Sequence, residues 1–310
     1  MSHPKYLSMD GRLVPYADAN VHVLAPAITY GATVFEGIRG HWSDAQDDCL
    51  LFRVEEHLER LAFSIKVMRF EYELDPAEAT RWMRELVQAN DQKDDIHLRV
   101  LAYVSEGPNM LTQGPIGLAI ASLSRPGKKT LAGIRACVSN WRRISDDAMP
   151  PRVKCASNYQ NGRLASLQAK ADKYDMPILL SHSGHVAEGP GSCIFMVRKG
   201  RLSTPSVSSD ILEGITRDTV MELAERRMNL TVQEREIDRT ELYLADELFV
   251  CGTASEIVPI TSMDGLPVGN GEVGPLTRHL AALYAAAVRG DSDRPEWYTP
   301  VYRERLAVAA

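Results

Sequence analysis

Arg152-Val153-Lys154-Cys155-Ala156-Ser157-Asn158-Tyr159, followed after a helical stretch by Ala187-Glu188-Gly189-Pro190-Gly191-Ser192, is the part of the chain around which the rest is organised. A lysine shortly before a tyrosine, then a lone glutamate at a glycine-rich turn, is a compact set of groups for an aldehyde-bearing cofactor. The amine can form a Schiff base, and the carboxylate can keep a pyridine nitrogen protonated. Elimination points to the same lysine. Of the nine lysines, Lys5 lies in the terminal arm and Lys93, Lys128, Lys129 and Lys199 sit in polar connectors or turns. Lys66 falls off its helix's apolar stripe, and Lys170 and Lys173 lie among Gln168, Asp172 and Asp175. Lys154 alone precedes a helix start among Val153, Cys155 and Ala156 with no neighbouring acid. Imine formation needs a neutral amine, which such surroundings favour.

Working outward towards the N-terminus, Tyr6–Met9 and Arg12–Tyr16 flank Asp10-Gly11, a hairpin signal. Thr29-Tyr30-Gly31-Ala32-Thr33-Val34-Phe35-Glu36-Gly37-Ile38-Arg39-Gly40 mixes glycines with Tyr, Phe and Arg. That composition suits either a backbone close to a ligand or a glycine-broken core strand. From Val54 the period becomes helical, with Leu58, Leu61, Ile65 and Met68 on one stripe and Arg60 at its edge, where a snorkelling surface residue is the plain reading. Asp75-Pro76 starts a second helix that runs to about Asn90. In the strand His97–Val104, alternation sets Leu98, Val100 and Ala102 on one face and His97, Arg99 and Leu101 on the other. His97 and Arg99 therefore mark either a solvated face or a pair suited to a carboxylate. A strand over Gly117–Leu123 leads into Ser124-Arg125-Pro126-Gly127-Lys128-Lys129-Thr130, the expected domain boundary.

Towards the C-terminus, Ile134–Trp141, Pro177–Ser181 and Ser192–Val197 read as strands. Tyr159–Tyr174 reads as a helix with Leu164, Leu167 and Ala171 on one side. Glu188-Gly189-Pro190-Gly191 is no dinucleotide fingerprint, because strand rather than helix follows it. Leu212-Glu213-Gly214-Ile215-Thr216-Arg217-Asp218 opens a helix, where peptide N–H groups, a hydroxyl and the dipole's positive end can hold phosphate, or where Thr216 simply caps. The strand Glu247–Cys251 runs into Gly252-Thr253-Ala254-Ser255-Glu256, a second junction of that kind. Leu276, Leu280, Leu283 and Ala287 form a core-facing helix stripe.

The whole-chain properties narrow the classes of function. At 310 residues, 45% hydrophobic and 25% charged, the sequence has room for two domains in the ordinary globular range. A net charge of −6 without a Lys/Arg block argues against nucleic-acid binding. No run of about 18 apolar residues could span a membrane, and Met1-Ser2-His3-Pro4-Lys5 leads into no secretory h-region. Cys49, Cys137, Cys155, Cys193 and Cys251 are odd in number and scattered, which indicates neither a disulfide framework nor a metal site. A cytoplasmic enzyme is the expectation.

Taken in order, these segments resemble the fold-type IV pyridoxal-phosphate transaminases, and most closely the branched-chain amino acid aminotransferases. The matching runs are Tyr30 to Arg39, His57-Leu58-Glu59-Arg60-Leu61, Lys154 to Tyr159, Glu188-Gly189 with Gly191, Gly214-Ile215-Thr216-Arg217, Tyr243-Leu244-Ala245-Asp246-Glu247 and Gly252-Thr253-Ala254-Ser255-Glu256. The resemblance covers about Val14 to Val288. It implies an α/β (α+β) fold of two domains with the cofactor between them: a smaller N-terminal domain over 1–124, an interdomain loop over 125–133 and a larger cofactor-binding domain over 134–310. It makes Lys154 the catalytic residue and Schiff-base lysine of pyridoxal 5'-phosphate, Glu188 the partner of the pyridine nitrogen and Tyr159 a donor to the phenolic oxygen. Arg60, Ile215, Thr216 and Thr253 become the phosphate cup, against the plain readings of Arg60 and Thr216, and Gly252 a further cofactor-binding position. Tyr30, Phe35, Gly37, Arg39, His97, Arg99, Thr253 and Ala254 become the substrate pocket.

The activity so implied is transfer of an amino group from L-leucine, L-isoleucine or L-valine to 2-oxoglutarate by a homodimer or a higher oligomer of dimers. The sequence departs from the branched-chain pattern at His97, typically tyrosine, at the tyrosine-free loop Met110 to Pro115 and at Ser192-Cys193, typically Glu-Asn. An R-selective amine or D-amino acid transaminase, or an aminodeoxychorismate-lyase-like enzyme, is the alternative within the family, and a non-catalytic phosphate-ligand binder the alternative outside it. Phe35-Glu36-Gly37-Ile38-Arg39 favours the branched-chain reading, and Lys154 with Glu188 favours an enzyme.

Overall fold

The computed structural model describes residues 3–127 and 131–303; Met1, Ser2 and residues 128–130 of the expected interdomain loop lie outside them. The described residues form two compact units. The first holds those up to Gly127, Val153–Ser157 and those from Ala286 onward; the second holds those from the connector to Arg152, and Asn158–Ala285.

In the first unit, β1 (Tyr6–Met9) and β2 (Arg12–Pro15) form the hairpin that Asp10-Gly11 announces, with both turn residues at positive φ, 50° and 76°. After α1 (Pro26–Thr29) come β3 (Thr33–Ser43), β4 (Asp48–Phe52), α2 (Val54–Val67), α3 (Pro76–Ala89), β5 (Ile96–Val104) and β6 (Ile116–Ser124). The strands pair antiparallel in the order β4-β3-β5-β6-β1-β2. Asp75 caps α3, its carboxylate accepting the N–H groups of Ala77 and Glu78, and Pro76 follows at the first helical position. Helix α2 buries Leu58, Leu61 and Ile65, and also the polar His57 and Ser64 on the same side. A polar side chain is buried at low cost only when hydrogen-bonded, so the face of α2 is specialised beyond an apolar stripe.

The second unit contains β7 (Ile134–Arg142), α4 (Tyr159–Ala171), β8 (Met176–Leu180), β9 (Glu188–Gly189), β10 (Ser192–Arg198), β11 (Arg201–Thr204), α5 (Ile215–Met228), β12 (Val232–Glu234), β13 (Glu247–Gly252), β14 (Glu256–Met263), β15 (Leu266–Pro267) and most of α6 (Pro275–Ala287). Its sheet runs β12-β11-β10-β13-β14-β7-β8, with β9 on β10 and β15 on β14. One buried cluster gathers Val138, Ile178, Ile194, Met196, Leu248, Val250 and Ile260. The opposite strand positions Phe195 and Phe249, cross-strand partners, stack with ring centroids 5.0 Å apart.

Helix α4 departs from the sequence expectation. Leu164 and Leu167 are 41% and 50% exposed, while Gly162, Ala165 and Ala169 are buried. Close approach explains the choice of small residues: a Cβ built on Gly162 would lie 2.9 Å from the Pro190 carbonyl oxygen. The end of the chain holds a further element that no periodicity announces. β16 (Tyr298–Pro300) pairs antiparallel with β4 in the first unit, beside a buried Trp297 whose ring meets Phe52 edge-on at 5.5 Å.

Two histidines of the first unit are buried without full hydrogen bonding. Neither ring nitrogen of His41 has a hydrogen-bond partner, and the Nδ1 of His97 has none. Burial, then the Arg39 charge, pushes His41 down to about 3, and burial, then Arg125, Arg39 and Arg99, pushes His97 down to about 4. Both are neutral at pH 7 in the folded chain. A histidine whose folded pKa is depressed stabilises fully above its unfolded value, and this contribution is lost as pH falls towards the folded value. Unfolding free energy should therefore fall between pH 6.5 and pH 5, by on the order of 2 kcal/mol for each of these histidines. Urea midpoints at the two pH values measure it, and His41→Leu should flatten the acid slope.

Candidate active site

The register of β3 against β5 pairs Phe35 with Leu101, Gly37 with Arg99 and Arg39 with His97. Directly opposed residues share a sheet face. Phe35, Gly37, Arg39, His97 and Arg99 thus lie on one face of the first unit's sheet, while Val34, Glu36 and Ile38 point the other way. Arg39 is 3% exposed and donates from Nη2 to the Arg125 carbonyl at 2.9 Å, with Asp95 at 3.7 Å. Arg99 is exposed. The His97 imidazole lies next to Gly37 and is neutral, so the suggested carboxylate-holding pair has only one charged member. Arg99 carries the charge, and His97 offers a single N–H. Tyr30 sits just before β3 at the end of α1 and is 55% exposed.

On the opposite face Glu36 is completely buried and held by two residues of α2. Arg60 donates from Nε to Oε1 at 2.7 Å and from Nη2 to Oε2 at 3.0 Å. His57 Nδ1 lies 2.7 Å from Oε2. Burial alone would raise the Glu36 pKa, yet the charge of Arg60 and the pairing with His57 hold it well below the usual carboxylate range. An ionised carboxylate only accepts, so Nδ1 carries the proton. The i,i+3 spacing of His57 and Arg60 sets both on one helix face, and Ser64 continues it at i+7. Arg60 is therefore no snorkelling surface residue.

Ser64 leads to the lysine. Its hydroxyl accepts the Lys154 N–H at 3.2 Å. The lysine segment lies along β3: Val34 and Cys155 form an antiparallel bridge, Phe35 N–H donates to the Lys154 carbonyl at 2.9 Å and Ala156 N–H to the Thr33 carbonyl at 3.0 Å. The Lys154 Nζ then sits 4.9 Å from the centroid of the Phe35 ring.

The second unit carries the other predicted residues. Glu188, 4% exposed, is fixed by the short β9–β10 pairing opposite Cys193, which is itself opposite Cys251 on β13. Its Oε1 accepts the Nε–H of Arg143 at 2.7 Å and its Oε2 the peptide N–H of Leu212 at 3.3 Å. Tyr159 opens α4 with its ring beside Gly191. Gly214 is the N-cap of α5 and no side chain caps that helix, so Thr216, buried inside the first turn, is not the cap. Gly214 is required by its neighbour: a Cβ there would lie 2.7 Å from Cys193 Sγ. Gly252 ends β13, with half-buried Thr253 and exposed Ala254 in the following turn. Of the sequence departures, Cys193 faces the α5 start and Ser192 faces Met176, with Oγ 3.9 Å from the sulfur. Neither belongs to the β3–β5 face.

Sequence reasoning missed Arg143, Glu36, His57 and Ser64. Two signals were available: a buried glutamate such as Glu188 requires a cation, and His57, Arg60 and Ser64 share a helix face. The donor chemistry suits pyridoxal phosphate: an amine for the aldehyde, a buried carboxylate for a ring nitrogen, and a helix start without a side-chain cap, next to threonines, for the phosphate. Among the described residues no cluster of His, Cys, Asp and Glu could hold a metal ion, and no helix is long and apolar enough to cross a membrane.

Comparison with known proteins identifies the family. The family model described as amino-transferase class IV matches residues 33–263. A probable branched-chain-amino-acid aminotransferase of Aquifex aeolicus is 38% identical over 309 residues, covering 96% of this chain and 99% of its own. The crystal structure of the branched-chain amino acid aminotransferase from Thermobaculum terrenum in its PLP form superposes with a TM-score of 0.91 at 41% identity, covering 98% of this chain and all of that one (100%). The T.th. branched-chain amino acid aminotransferase, complexed with N-(5'-phosphopyridoxyl)-L-glutamate, reaches 0.91 at 34% identity over 96% of this chain and 99% of its own. The model match spans most of the chain and the likeness is nearly end to end, and so the chain belongs to the class IV aminotransferase family.

Proposed function

We propose that this protein is a pyridoxal-phosphate-dependent branched-chain amino acid aminotransferase, moving the amino group of L-leucine, L-isoleucine or L-valine to 2-oxoglutarate. The observation that carries the reading is the Lys154 amine over the Phe35 ring, at the edge of the sheet face that also bears Gly37, Arg39, His97 and Arg99. A reactive amine beside an apolar ring, a side-chain-free glycine and two guanidinium groups suits a substrate with an aliphatic side chain and a carboxylate. The relatives named as branched-chain aminotransferases support the donor class, and the phosphopyridoxyl-glutamate complex of one of them supports the glutamate/2-oxoglutarate pair.

When bound, pyridoxal 5'-phosphate supplies an aldehyde to take up amines and a ring that draws electrons from the substrate's α carbon. Lys154 Nζ removes the α proton as general base and later delivers a proton as general acid, so one group serves both directions. The Phe35 ring limits where that amine can swing. Glu188 would accept a hydrogen bond from the ring nitrogen and favour its protonated form, while Arg143 holds Oε1 so that the carboxylate keeps its orientation. Tyr159 would donate to the phenolic oxygen. Thr216, Thr253, Gly252 and the Ile215 peptide would hold the phosphate. Arg60 contributes positive charge, tempered by Glu36. Arg99 receives the substrate carboxylate with Arg39 behind it, and neutral His97 adds one N–H at a position where tyrosine is usual.

A homodimer, or a higher oligomer of dimers, in the cytoplasm completes the reading. Val23, Leu24, Ile28 and Tyr30, together with Met110 and Leu111, are 55–78% exposed on the first unit, an apolar surface that a second copy would cover. The five buried thiols, none of them in a disulfide, suit a reducing compartment.

Lys154→Ala should abolish turnover, a loss of at least about three orders of magnitude in kcat, and borohydride should fix the cofactor to Lys154 of the native enzyme but to no residue of the variant. Wild-type turnover in Lys154→Ala would remove the lysine assignment. Half-reactions with L-leucine, D-alanine and both enantiomers of 1-phenylethylamine, followed by the cofactor's absorbance, test the substrate class. L-Leucine should convert the enzyme fastest. Conversion by the R-amine and not by L-leucine would replace the branched-chain reading with an R-selective amine transaminase.

A further inference from the structure

At the edge of the second unit's sheet, Arg198, Lys199, Arg201, Ser203, Gln233 and Arg235 line a cavity of about 420 Å³. Strand register brings them together. Arg198 and Arg201 are direct partners across the β10–β11 hairpin, and Ser203 is the direct partner of Gln233 on β12. The tight turn between them puts Lys199 and Gly200 at positive φ, 50° and 72°. Arg235 follows β12, its N–H bonded to the Thr204 carbonyl at 3.1 Å. Like charges directly opposite each other across a strand pair are destabilising, so the Arg198–Arg201 pairing needs an anion nearby.

Glu241 supplies part of it. Arg235 grips it with both Nη atoms at 2.8 Å, and Arg198 Nη1 lies 3.3 Å from Oε2. The hydrogen bonding of Arg235, partly opposed by desolvation, holds Glu241 down to about 2, so it is ionised. The other nearby carboxylate, Asp246, is engaged by the Lys199 peptide N–H at 2.6 Å. Glu241 offsets one charge among four cations. The ammonium of Lys199 and the guanidinium of Arg201 form no ion pair among the described residues. Ser203, 3% exposed, adds a hydroxyl to the lining.

We infer that this cavity binds a compact polyanion, the di- or triphosphate group of a small molecule. Guanidinium forks and an ammonium match phosphate oxygens, and the volume exceeds what one phosphate fills. No aromatic or aliphatic side chain is among the lining residues, so nothing there would stack a base or bury an apolar group. The site is separate from the groups assigned to the cofactor. Glu188 pairs with Cys193 near the start of β10 and Arg198 ends it, five residues and roughly 17 Å away along an extended strand.

The test is titration calorimetry on the holoenzyme, in which the cofactor's own phosphate position is filled. Inorganic pyrophosphate and tripolyphosphate should bind saturably at one site per chain, at least tenfold tighter than orthophosphate or sulfate, and more weakly as salt rises. ATP binding as tightly as tripolyphosphate would assign the group to a nucleotide as readily as to the free anion. The double variant Lys199→Ala/Arg201→Ala should lose at least tenfold in affinity, while Arg226→Ala/Arg227→Ala on α5 keeps it. Absence of saturable binding at millimolar pyrophosphate, equal binding by the cavity variant, or a single-stranded oligonucleotide binding more tightly than tripolyphosphate would each overturn the inference. Circular dichroism of both variants confirms the fold, since Lys199 is an exposed turn residue and Arg201 an exposed residue at the start of β11.

Discussion

The Glu36 carboxylate, wholly buried and gripped by Arg60 and His57, is the constraint on which the candidate residues of the first unit depend. A buried charge that loses its partner costs about 3–5 kcal/mol, so α2 cannot drift from β3 without a large penalty. Because side chains alternate along a strand, fixing Glu36 against α2 also turns Phe35, Gly37 and Arg39 to the other face. The same helix face ends in Ser64, which receives the Lys154 peptide. Orientation of the sheet face and placement of the Lys154 backbone thus follow from one helix face.

The second unit relies on a different device. Glu188 occupies a two-residue strand whose partner, Cys193, sits between it and Cys251 in a short ladder. Arg143 arrives from the segment after β7, and Leu212 from the segment before α5. The carboxylate is therefore held from three directions, which suits the role proposed for it at a ring nitrogen. Cys193 fills the space that Gly214 leaves open, which ties the α5 start to the same ladder. Ser192 and Cys193, the departures in this stretch from the branched-chain pattern, thus lie in the ladder that holds Glu188, whereas His97 lies on the β3–β5 face.

Much of the fold was legible because local patterns were strong. Asp10-Gly11 marked the hairpin, Asp75-Pro76 the start of α3, and alternation in His97–Val104 sorted its two faces. The helix around Leu164 and Leu167 misled, since periodicity records which residues are apolar and cannot show that a neighbouring backbone at Pro190 leaves no room for a side chain at Gly162. β16 and the buried Trp297 were equally invisible: a three-residue strand has no period, and its pairing with β4 joins positions about 250 residues apart. The candidate residues were legible through several family segments in register. Each taken alone had an ordinary structural explanation.

The sequence by itself determined the chemical inventory: one lysine in a setting apart from the other eight, a glutamate at a glycine turn, and two glycine-threonine junctions in the order found in class IV aminotransferases. Those are properties of residue type and spacing along the chain. Only the tertiary structure decided which cation serves which carboxylate, Arg60 with Glu36 and Arg143 with Glu188, and that burial keeps His97 neutral. Ion pairing and desolvation depend on distances of a few ångströms between residues far apart in sequence, and the chain acquires those distances only when its strands pair and its helices pack.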